Sequence, residues 1–194
     1  MLLDLPFGGP VIAIVNNYVA GGAFSADDRL APLRSWMKFI MLNFGVPAAL
    51  TGLIVLKHCN WTWVVSTCDV SKLYNPGALT TSVLPSVLGF GIGVYALVFI
   101  LSPKFVQLYH SEAQKENRTS EGMTVLAVNS DMAFPLVVIV VTLMLGVLQT
   151  AFADSLTLKI VNWHFLMWSL FETLGLIGVI YRLGEQSLIE KIPD

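Results

Sequence analysis

Long runs of apolar residues, separated by short polar stretches, dominate the pattern of this chain. A transmembrane helix needs about 20 mostly apolar residues, and four windows between charged residues approach or exceed that length. We place these spans at about residues 39–56, 79–101, 132–153 and 160–181. The pattern therefore predicts an all-α, polytopic membrane protein with four transmembrane helices.

A fifth uncharged window near the N-terminus has a different character. It contains two prolines, two Gly-Gly pairs and the adjacent amides Asn16 and Asn17. Proline and glycine weaken helices, and amides in lipid need hydrogen-bond partners. We expect residues 1–33 to form an interfacial or re-entrant segment instead of a full span. If this segment did cross the membrane, the N-terminus would lie outside and the other helices would keep their orientation.

Lysine and arginine are unevenly distributed between the connecting segments. Eight lie before the first span, in the second loop or in the C-terminal segment, and three lie in the other two loops. Because positive residues concentrate on the cytoplasmic side, both termini and the loop 104–131 are predicted to be cytoplasmic. The expected organisation is the segment 1–33, a four-helix domain over 34–181 and a cytoplasmic tail over 182–194.

Composition narrows the classes of function. Of 194 residues, 55% are apolar and only 12% are charged, whereas soluble domains usually carry about 25% charged residues. The net charge of −2 offers no basic surface for a phosphate backbone, so we expect no direct nucleic-acid binding. The sequence carries no phosphate-binding loop, catalytic triad or metal-ligand spacing. We therefore expect a non-enzymatic protein without a cofactor or a metal.

Two cysteines, Cys59 and Cys68, fall in the first loop, which is predicted to lie outside the cytoplasm. Cysteines in such compartments usually pair, so we predict a disulfide bond between them. The alternative is thiol oxidation chemistry, as in quinone-linked membrane oxidases. That chemistry requires a Cys-x-x-Cys motif and a second, relaying pair, and the sequence has neither.

Glu172 lies near the middle of the fourth predicted span. A carboxyl group at that depth must be neutral, paired or in contact with water. Together with His164 and Trp168 it recurs every four residues on one helix face. Either Glu172 forms hydrogen bonds across a helix interface, or Glu172 and His164 belong to a proton or ion path. The candidate neutral partners of Glu172 are Asn43, Thr51, Tyr95, Thr142 and Gln149.

Small residues indicate helix-packing faces. Ser86, Gly89 and Gly93 share a face of the second span, and Gly175 and Gly178 occur in the fourth. Small residues let helices approach closely in lipid, so these faces predict a homo-oligomer. By contrast, the apolar third span is expected to face lipid, with Ser130 and Asp131 as its N-cap.

The size of the chain, its four spans with both termini inside, its hydrophilic middle loop Lys104–Asp131 and its short charged tail Arg182–Asp194 form a recognisable arrangement. In this architecture the whole chain resembles the four-helix membrane subunit of the bacterial Kiwa anti-phage defence system. The resemblance implies an inner-membrane oligomer that binds a cytoplasmic, DNA-binding partner and detects infection at the envelope.

These inferences lead to one expected function and one alternative. We expect an oligomeric scaffold or sensor of the bacterial inner (plasma) membrane, acting in antiviral defence. It would recruit or signal to a cytoplasmic protein that docks on the loop Lys104–Asp131, on the tail Arg182–Asp194 or on both. The alternative is a small channel or transporter subunit that conducts ions or protons through Glu172.

Overall fold

The computed structural model describes residues 8–21, 30–61, 66–68, 74–98 and 125–189. These residues are almost entirely helical. In chain order the elements are α1 (Gly8–Val19), α2 (Leu33–Phe39), a π-helical turn (Ile40–Phe44), α3 (Gly45–His58), β1 (Cys59–Trp61), β2 (Ser66–Cys68), α4 (Pro76–Val98), α5 (Val125–Ala151) and α6 (Leu156–Ile189).

Four helical segments are long and apolar enough to cross a membrane, as predicted. They are Leu33–Lys57, Pro76–Ala96, Val128–Ala151 and Leu156–Glu185. The chain therefore has the architecture of a multi-pass membrane protein. Among the described residues, the one departure from an all-α fold is the short antiparallel hairpin of β1 and β2.

The spanning helices extend beyond the charged residues that we used to predict their ends. The first span begins at Leu33 and includes Arg34 and Lys38. Likewise, Lys159, which we assigned to a loop, lies in the first turn of α6 and is buried. Charges delimit the hydrocarbon region poorly because lysine and arginine can bury their apolar stems and direct their charged ends elsewhere.

The predicted loop 104–131 and tail 182–194 are also partly helical. Since α5 begins at Val125, Ser130 and Asp131 lie inside the helix, and our assignment of them as an N-cap was wrong. At the other end, α6 continues to Ile189. The rest of both segments, which includes most of the predicted partner-binding surface, lies outside the described residues.

The N-terminal segment contains the helix α1. Pro10 is tolerated there because it lies in the first turn, where backbone N–H groups lack helical partners. After α1 ends at Val19, Gly21 adopts a φ of 63°, the left-handed conformation that commonly follows a helix. Twelve residues of α-helix span about 18 Å, which is shorter than the hydrocarbon core. An interfacial or re-entrant position of this helix stays a prediction.

The π-turn has a local cause in the sequence. Pro47, two residues into α3, has no N–H for the carbonyl of Asn43, and its ring collides with that carbonyl in a regular α-helix. The helix widens immediately before this position, over Ile40–Phe44. In α4 and α5, by contrast, the α-helix is continuous through Pro85 and Pro135.

The chain divides into two compact units. The first comprises residues 1–39, 91–137 and 174–194. Its apolar core contains Val128, Met132 and Leu176. An aromatic cluster holds α1 in this unit: the ring of Tyr18 stacks on Phe134 with centroids 4.1 Å apart, and Phe39 packs against both. The backbone N–H of Ala31 donates a buried 2.8 Å hydrogen bond to Asn16 Oδ1.

The second unit comprises residues 40–90 and 138–173. Its core is built from Leu84, Ile139, Trp163 and Leu166. The third span, which was expected to face lipid, does so on one side only: 44% of its apolar window is buried, more than in any of the other three spans, whereas Val140, Met144 and Val147 are exposed. Lipid and protein core are equally apolar, so hydrophobicity alone does not distinguish the two.

Candidate functional site

Glu172 lies inside the second unit, on α6, with only 4% of its surface exposed. The indole Nε1 of Trp168 donates a 2.9 Å hydrogen bond to Glu172 Oε1. The two residues are one helical turn apart, so the helix itself positions this donor. The predicted partners of Glu172 lie elsewhere in the chain, and sequence spacing identifies Trp168 only as a residue of the same helix face.

Two of the predicted partners of Glu172 donate hydrogen bonds to other groups. The hydroxyl of Thr142 donates to the carbonyl of Val138 at 2.7 Å. The Tyr95 hydroxyl, in the first unit, donates to Asn129 Oδ1 at 2.6 Å. Each of these hydroxyl groups donates to an acceptor close to it. The residue type and the span in which it lies do not reveal that acceptor.

Aromatic rings surround the Trp168 donor. Phe44, the last residue of the π-turn, packs with its centroid 4.4 Å from that of Trp168 and 5.2 Å from that of His164. Phe165 contributes a further ring at 5.5 Å from Trp168. His164 therefore belongs to a packed aromatic cluster two turns away from Glu172, a separation of about 12 Å along the helix axis.

A cluster of hydrogen-bonded polar side chains, which the sequence did not predict, links three helical segments of the second unit. Gln149 Nε2 donates to Asn75 Oδ1 at 2.6 Å, and Gln149 Oε1 accepts from Asn162 Nδ2 at 2.7 Å. Thr80 Oγ1 lies 3.4 Å from Asn162 Oδ1 and donates to it. Gln149 thus uses both ends of its amide, and the chain of hydrogen bonds fixes Asn75, α5 and α6 to one another.

This amide network also explains local helix geometry. Asn75 precedes Pro76, the first residue of α4, and its Oδ1 accepts a 3.0 Å hydrogen bond from the N–H of Gly77. An asparagine N-cap followed by proline is a favoured start of a helix. The signal for the network in the sequence was therefore a cap at Asn75 together with amides near the ends of two other spans.

The close helix contacts use different glycines from those predicted. A Cβ at Gly146 would lie 2.7 Å from Thr80 Cγ2, and one at Gly77 would lie 2.9 Å from Gln149 Oε1. In the first unit, a Cβ at Gly91 would lie 2.5 Å from Leu136 Cδ2. These three buried glycines allow side chains of neighbouring helices to approach the backbone.

The predicted packing residues share a different property. All are exposed: Ser86, Gly89, Gly93, Gly175 and Gly178. Within the described part of the chain, a Cβ at any of these four glycines would meet no atom within 4 Å. None of these four glycines therefore makes a close helix contact among the described residues. The small residues that we predicted to pack are not those at which the helices of the fold approach each other.

The first unit contains a charged residue, Asp131, that we predicted to lie just outside the third span. Asp131 lies within the apolar segment Val128–Ala151 and interacts electrostatically with Arg182. The apolar segments therefore contain a second buried or half-buried carboxyl group besides Glu172.

The hairpin places the backbones of the two cysteines opposite each other. In the antiparallel register Cys59 pairs with Cys68, Asn60 with Thr67 and Trp61 with Ser66. The side chains of these residues lie outside what the structure describes, so the disulfide stays a prediction.

Metal ligands do not converge in the described ranges: no three His, Cys, Asp or Glu side chains there could hold one ion. No family model, curated protein or solved structure matches the chain. The class that the structure defines is a multi-pass helical membrane protein with several buried polar side chains beside the apolar core of its second unit.

Proposed function

We propose that this protein is a non-enzymatic, oligomeric membrane scaffold or sensor that transmits a signal to a cytoplasmic partner. The observation that carries the proposal is the exposure of all five predicted packing residues of α4 and α6. In lipid, association between helices depends on close packing and on interhelical hydrogen bonds, and small residues permit both.

The first span gives independent support for assembly. Only 11% of the apolar window in Leu33–Lys57 is buried, against 22%, 44% and 33% in the three following spans. Along α3, Gly45, Ala48 and Ala49 are exposed at helical spacing, so this span too offers small residues to a neighbouring chain. The proposed occupant of these faces is a second copy of the same chain.

The location and role that we propose follow from the charge distribution and the architectural resemblance. We assign both termini to the cytoplasm of a bacterium and place the protein in the inner membrane. The partner would dock on Lys104–Asp131, on Arg182–Asp194 or on both, and antiviral defence is the specific role that we propose.

Mass measurement of the purified protein in mild detergent tests the assembly. We expect a defined oligomer that dissociates when Gly89 or Gly93 is replaced by leucine, because a large side chain prevents close approach. Ile92→Leu, at another exposed position of α4, is the matched control and should assemble normally. A parent protein that is monomeric in detergent and uncrosslinked in native membranes would contradict the proposal.

The partner is tested separately from the assembly. Co-purification in mild detergent should recover one soluble protein in constant ratio, and deletion of residues 105–120 should remove it while the oligomer persists. A clean homo-oligomer without any soluble partner would limit the function to assembly in the membrane.

A second candidate function is ion or proton conduction. The second unit favours it through a row of buried polar residues on one face of α6, which includes Asn162, Ser169 and Glu172. The hydrogen bonds of Asn162 and Glu172 provide a structural role for the same residues. We therefore rank conduction second and test it through Glu172, as described in the Discussion.

A further inference from the structure

The short helix α2 leaves one of its faces uncovered in the first unit. Phe39 fixes the buried side of the helix, because its ring packs against those of Tyr18 and Phe134. Leu33 and Met37 point away from that side and are 76% and 57% exposed. Side chains four residues apart are neighbours on a helix surface, so these two form an apolar strip along α2.

Two cations border this apolar strip. Arg34 and Lys38 are exposed and also lie four residues apart, and Met37 lies three residues from Arg34. At these spacings Cβ atoms are about 5–6 Å apart. The guanidinium group of Arg34 and the ammonium group of Lys38 can therefore reach the same anion.

No described part of the chain neutralises these two cations. The side chains of Arg34 and Lys38 form no hydrogen bond or ion pair with any described residue, and α2 itself contains no acidic residue. Arg182 in the same unit differs from them, because it interacts with Asp131. Within the described residues, α2 thus carries two positive charges that no carboxylate balances.

The position of α2 in the chain indicates its depth in the membrane. The helix opens the apolar segment Leu33–Lys57, and residues 39–56 carry no charge. Charged groups are costly in the hydrocarbon, and lysine and arginine near the end of a span direct their charged groups to the headgroup layer. Tryptophan is enriched in the same layer, and α2 contains Trp36. We therefore expect the two cations at the level of the lipid phosphates.

We propose that α2 is a binding site for an anionic phospholipid. The headgroup phosphate lies between Arg34 and Lys38, and an acyl chain lies along Leu33 and Met37. A guanidinium group can bind phosphate oxygens through two parallel hydrogen bonds, and the ammonium group of lysine adds a second positive charge. The site goes beyond the proposed scaffold function, because it requires neither a second copy of the chain nor a cytoplasmic protein.

The apolar strip favours a lipid over a soluble anion. Free phosphate would balance the two charges and leave Leu33 and Met37 uncovered. A phospholipid satisfies both parts of the face, because its phosphate and its acyl chains belong to one molecule. The aromatic contacts of Phe39 hold α2 in place before the lipid binds, which reduces the entropy that binding costs.

Native mass spectrometry of the full-length protein in mild detergent measures this binding. Phosphatidylglycerol and phosphatidylethanolamine with identical acyl chains are titrated separately, so that the two probes differ in headgroup charge. Arg34→Gln and Lys38→Gln each remove one charge from α2. Lys57→Gln removes one exposed charge at the other end of the same span and is the matched control. All three substitutions change exposed side chains, so thermal unfolding should match that of the parent.

We expect the parent to bind phosphatidylglycerol more tightly than phosphatidylethanolamine. Arg34→Gln and Lys38→Gln should each weaken the binding of phosphatidylglycerol about fivefold, the contribution of one basic residue near an anionic membrane surface. Both variants should bind phosphatidylethanolamine like the parent, and Lys57→Gln should leave the binding of both lipids unchanged.

Two further arms separate a lipid from a soluble anion. Met37→Ser keeps both charges and should weaken the binding of phosphatidylglycerol, because the acyl chain loses an apolar contact. Met144→Ser, at another exposed methionine, is its control. Inorganic phosphate should not displace phosphatidylglycerol from the parent.

The proposal is overturned if the double variant Arg34→Gln/Lys38→Gln binds phosphatidylglycerol as tightly as the parent does. It is also overturned if Lys57→Gln weakens the binding as much as the α2 variants do, since the effect would then follow total charge. Displacement of the lipid by inorganic phosphate, with no effect of Met37→Ser, would identify a soluble-anion site instead.

Discussion

Trp168 and Glu172 form a hydrogen-bonded pair within a single helix, with 2.9 Å between Nε1 and Oε1 and both side chains buried. A carboxyl group in the interior of a membrane domain thus has a donor that needs no second helix. The pair is compatible with a structural carboxyl group and with one that takes up and releases protons, and substitutions distinguish these roles.

Glu172→Gln is the decisive variant. If Glu172 is a structural group, the amide oxygen of glutamine still accepts from Trp168, so stability and assembly should match the parent. Glu172→Leu should lower the free energy of unfolding by roughly 0.6–2 kcal/mol, the range measured for membrane hydrogen bonds. Thermal unfolding in detergent measures both, and Trp168→Phe controls for loss of the donor.

The conduction hypothesis makes the opposite prediction for the same variant. An amide cannot titrate, so Glu172→Gln should abolish proton or ion flux as completely as Glu172→Leu does. Flux into vesicles that contain the purified protein measures this. A correctly assembled but inactive Glu172→Gln protein would favour conduction, and an active one would identify the carboxyl group as structural.

The amide network predicts a specific loss of stability. In Gln149→Leu, the Nδ2 of Asn162 loses its acceptor and Asn75 Oδ1 loses one of its donors. We expect the free energy of unfolding to fall by about 1–2 kcal/mol. Thr150→Val, which removes a neighbouring hydroxyl bonded only within its own helix at 2.9 Å, is the matched control. Equal melting temperatures for the two variants would argue against a structural network.

The hairpin register sharpens the prediction of a disulfide. Directly opposed residues in antiparallel strands have Cα atoms about 4.5–5.5 Å apart, which is within the range that a disulfide requires. Cys59 and Cys68 are opposed in this way. Alkylation of protein purified without reductant, followed by non-reducing mass spectrometry, should therefore find the two peptides joined. Alkylated thiols at both positions would disprove the bond.

The proposed orientation is open to direct labelling. A single engineered cysteine at Thr157, in the exposed first turn of α6, should react with a membrane-impermeant reagent added from outside, because this end of the helix is predicted to lie there. One placed between Gln114 and Gly122 should react only after the membrane is opened. The reverse pattern would invert the topology. Both experiments use a chain in which Cys59 and Cys68 are replaced by serine.

The sequence predicted the four apolar helices because the requirement for about 20 apolar residues is a strong constraint in lipid. It failed at the helix ends, where Lys159 and Asp131 lie inside the apolar segments. Their neighbours determine whether such charges are tolerated: Asp131, for example, interacts with Arg182, which is 51 positions away in sequence. Pairings of that kind depend on the fold and are absent from local patterns.

The candidate site was predicted only in part, for a related reason. The alignment of Trp168 with Glu172 follows from their four-residue spacing, and the structure joins the two by a hydrogen bond. The depth of Glu172 in a membrane stays a prediction. The amide network was not predicted because Asn75, Gln149 and Asn162 come from three separate segments. A single amide within one segment gives no indication of its partners in the others. Which glycines are in contact likewise depends on the facing residue, such as Thr80 opposite Gly146.

The glycines yield the last prediction, because those that pack and those that are exposed should respond differently to the same change. Gly146→Ala places a Cβ 2.7 Å from Thr80 Cγ2 and 3.0 Å from Thr80 Cβ, so the two helices must move apart. We expect the free energy of unfolding to fall by about 1–3 kcal/mol. Gly89→Ala meets no described atom within 4 Å and should leave the unfolding of the chain unchanged. If the exposed face binds a second copy, only the oligomer should weaken in Gly89→Ala. Unfolding and mass measurements on both variants separate the two effects, and a Gly146→Ala protein as stable as the parent would show that this close contact is not required.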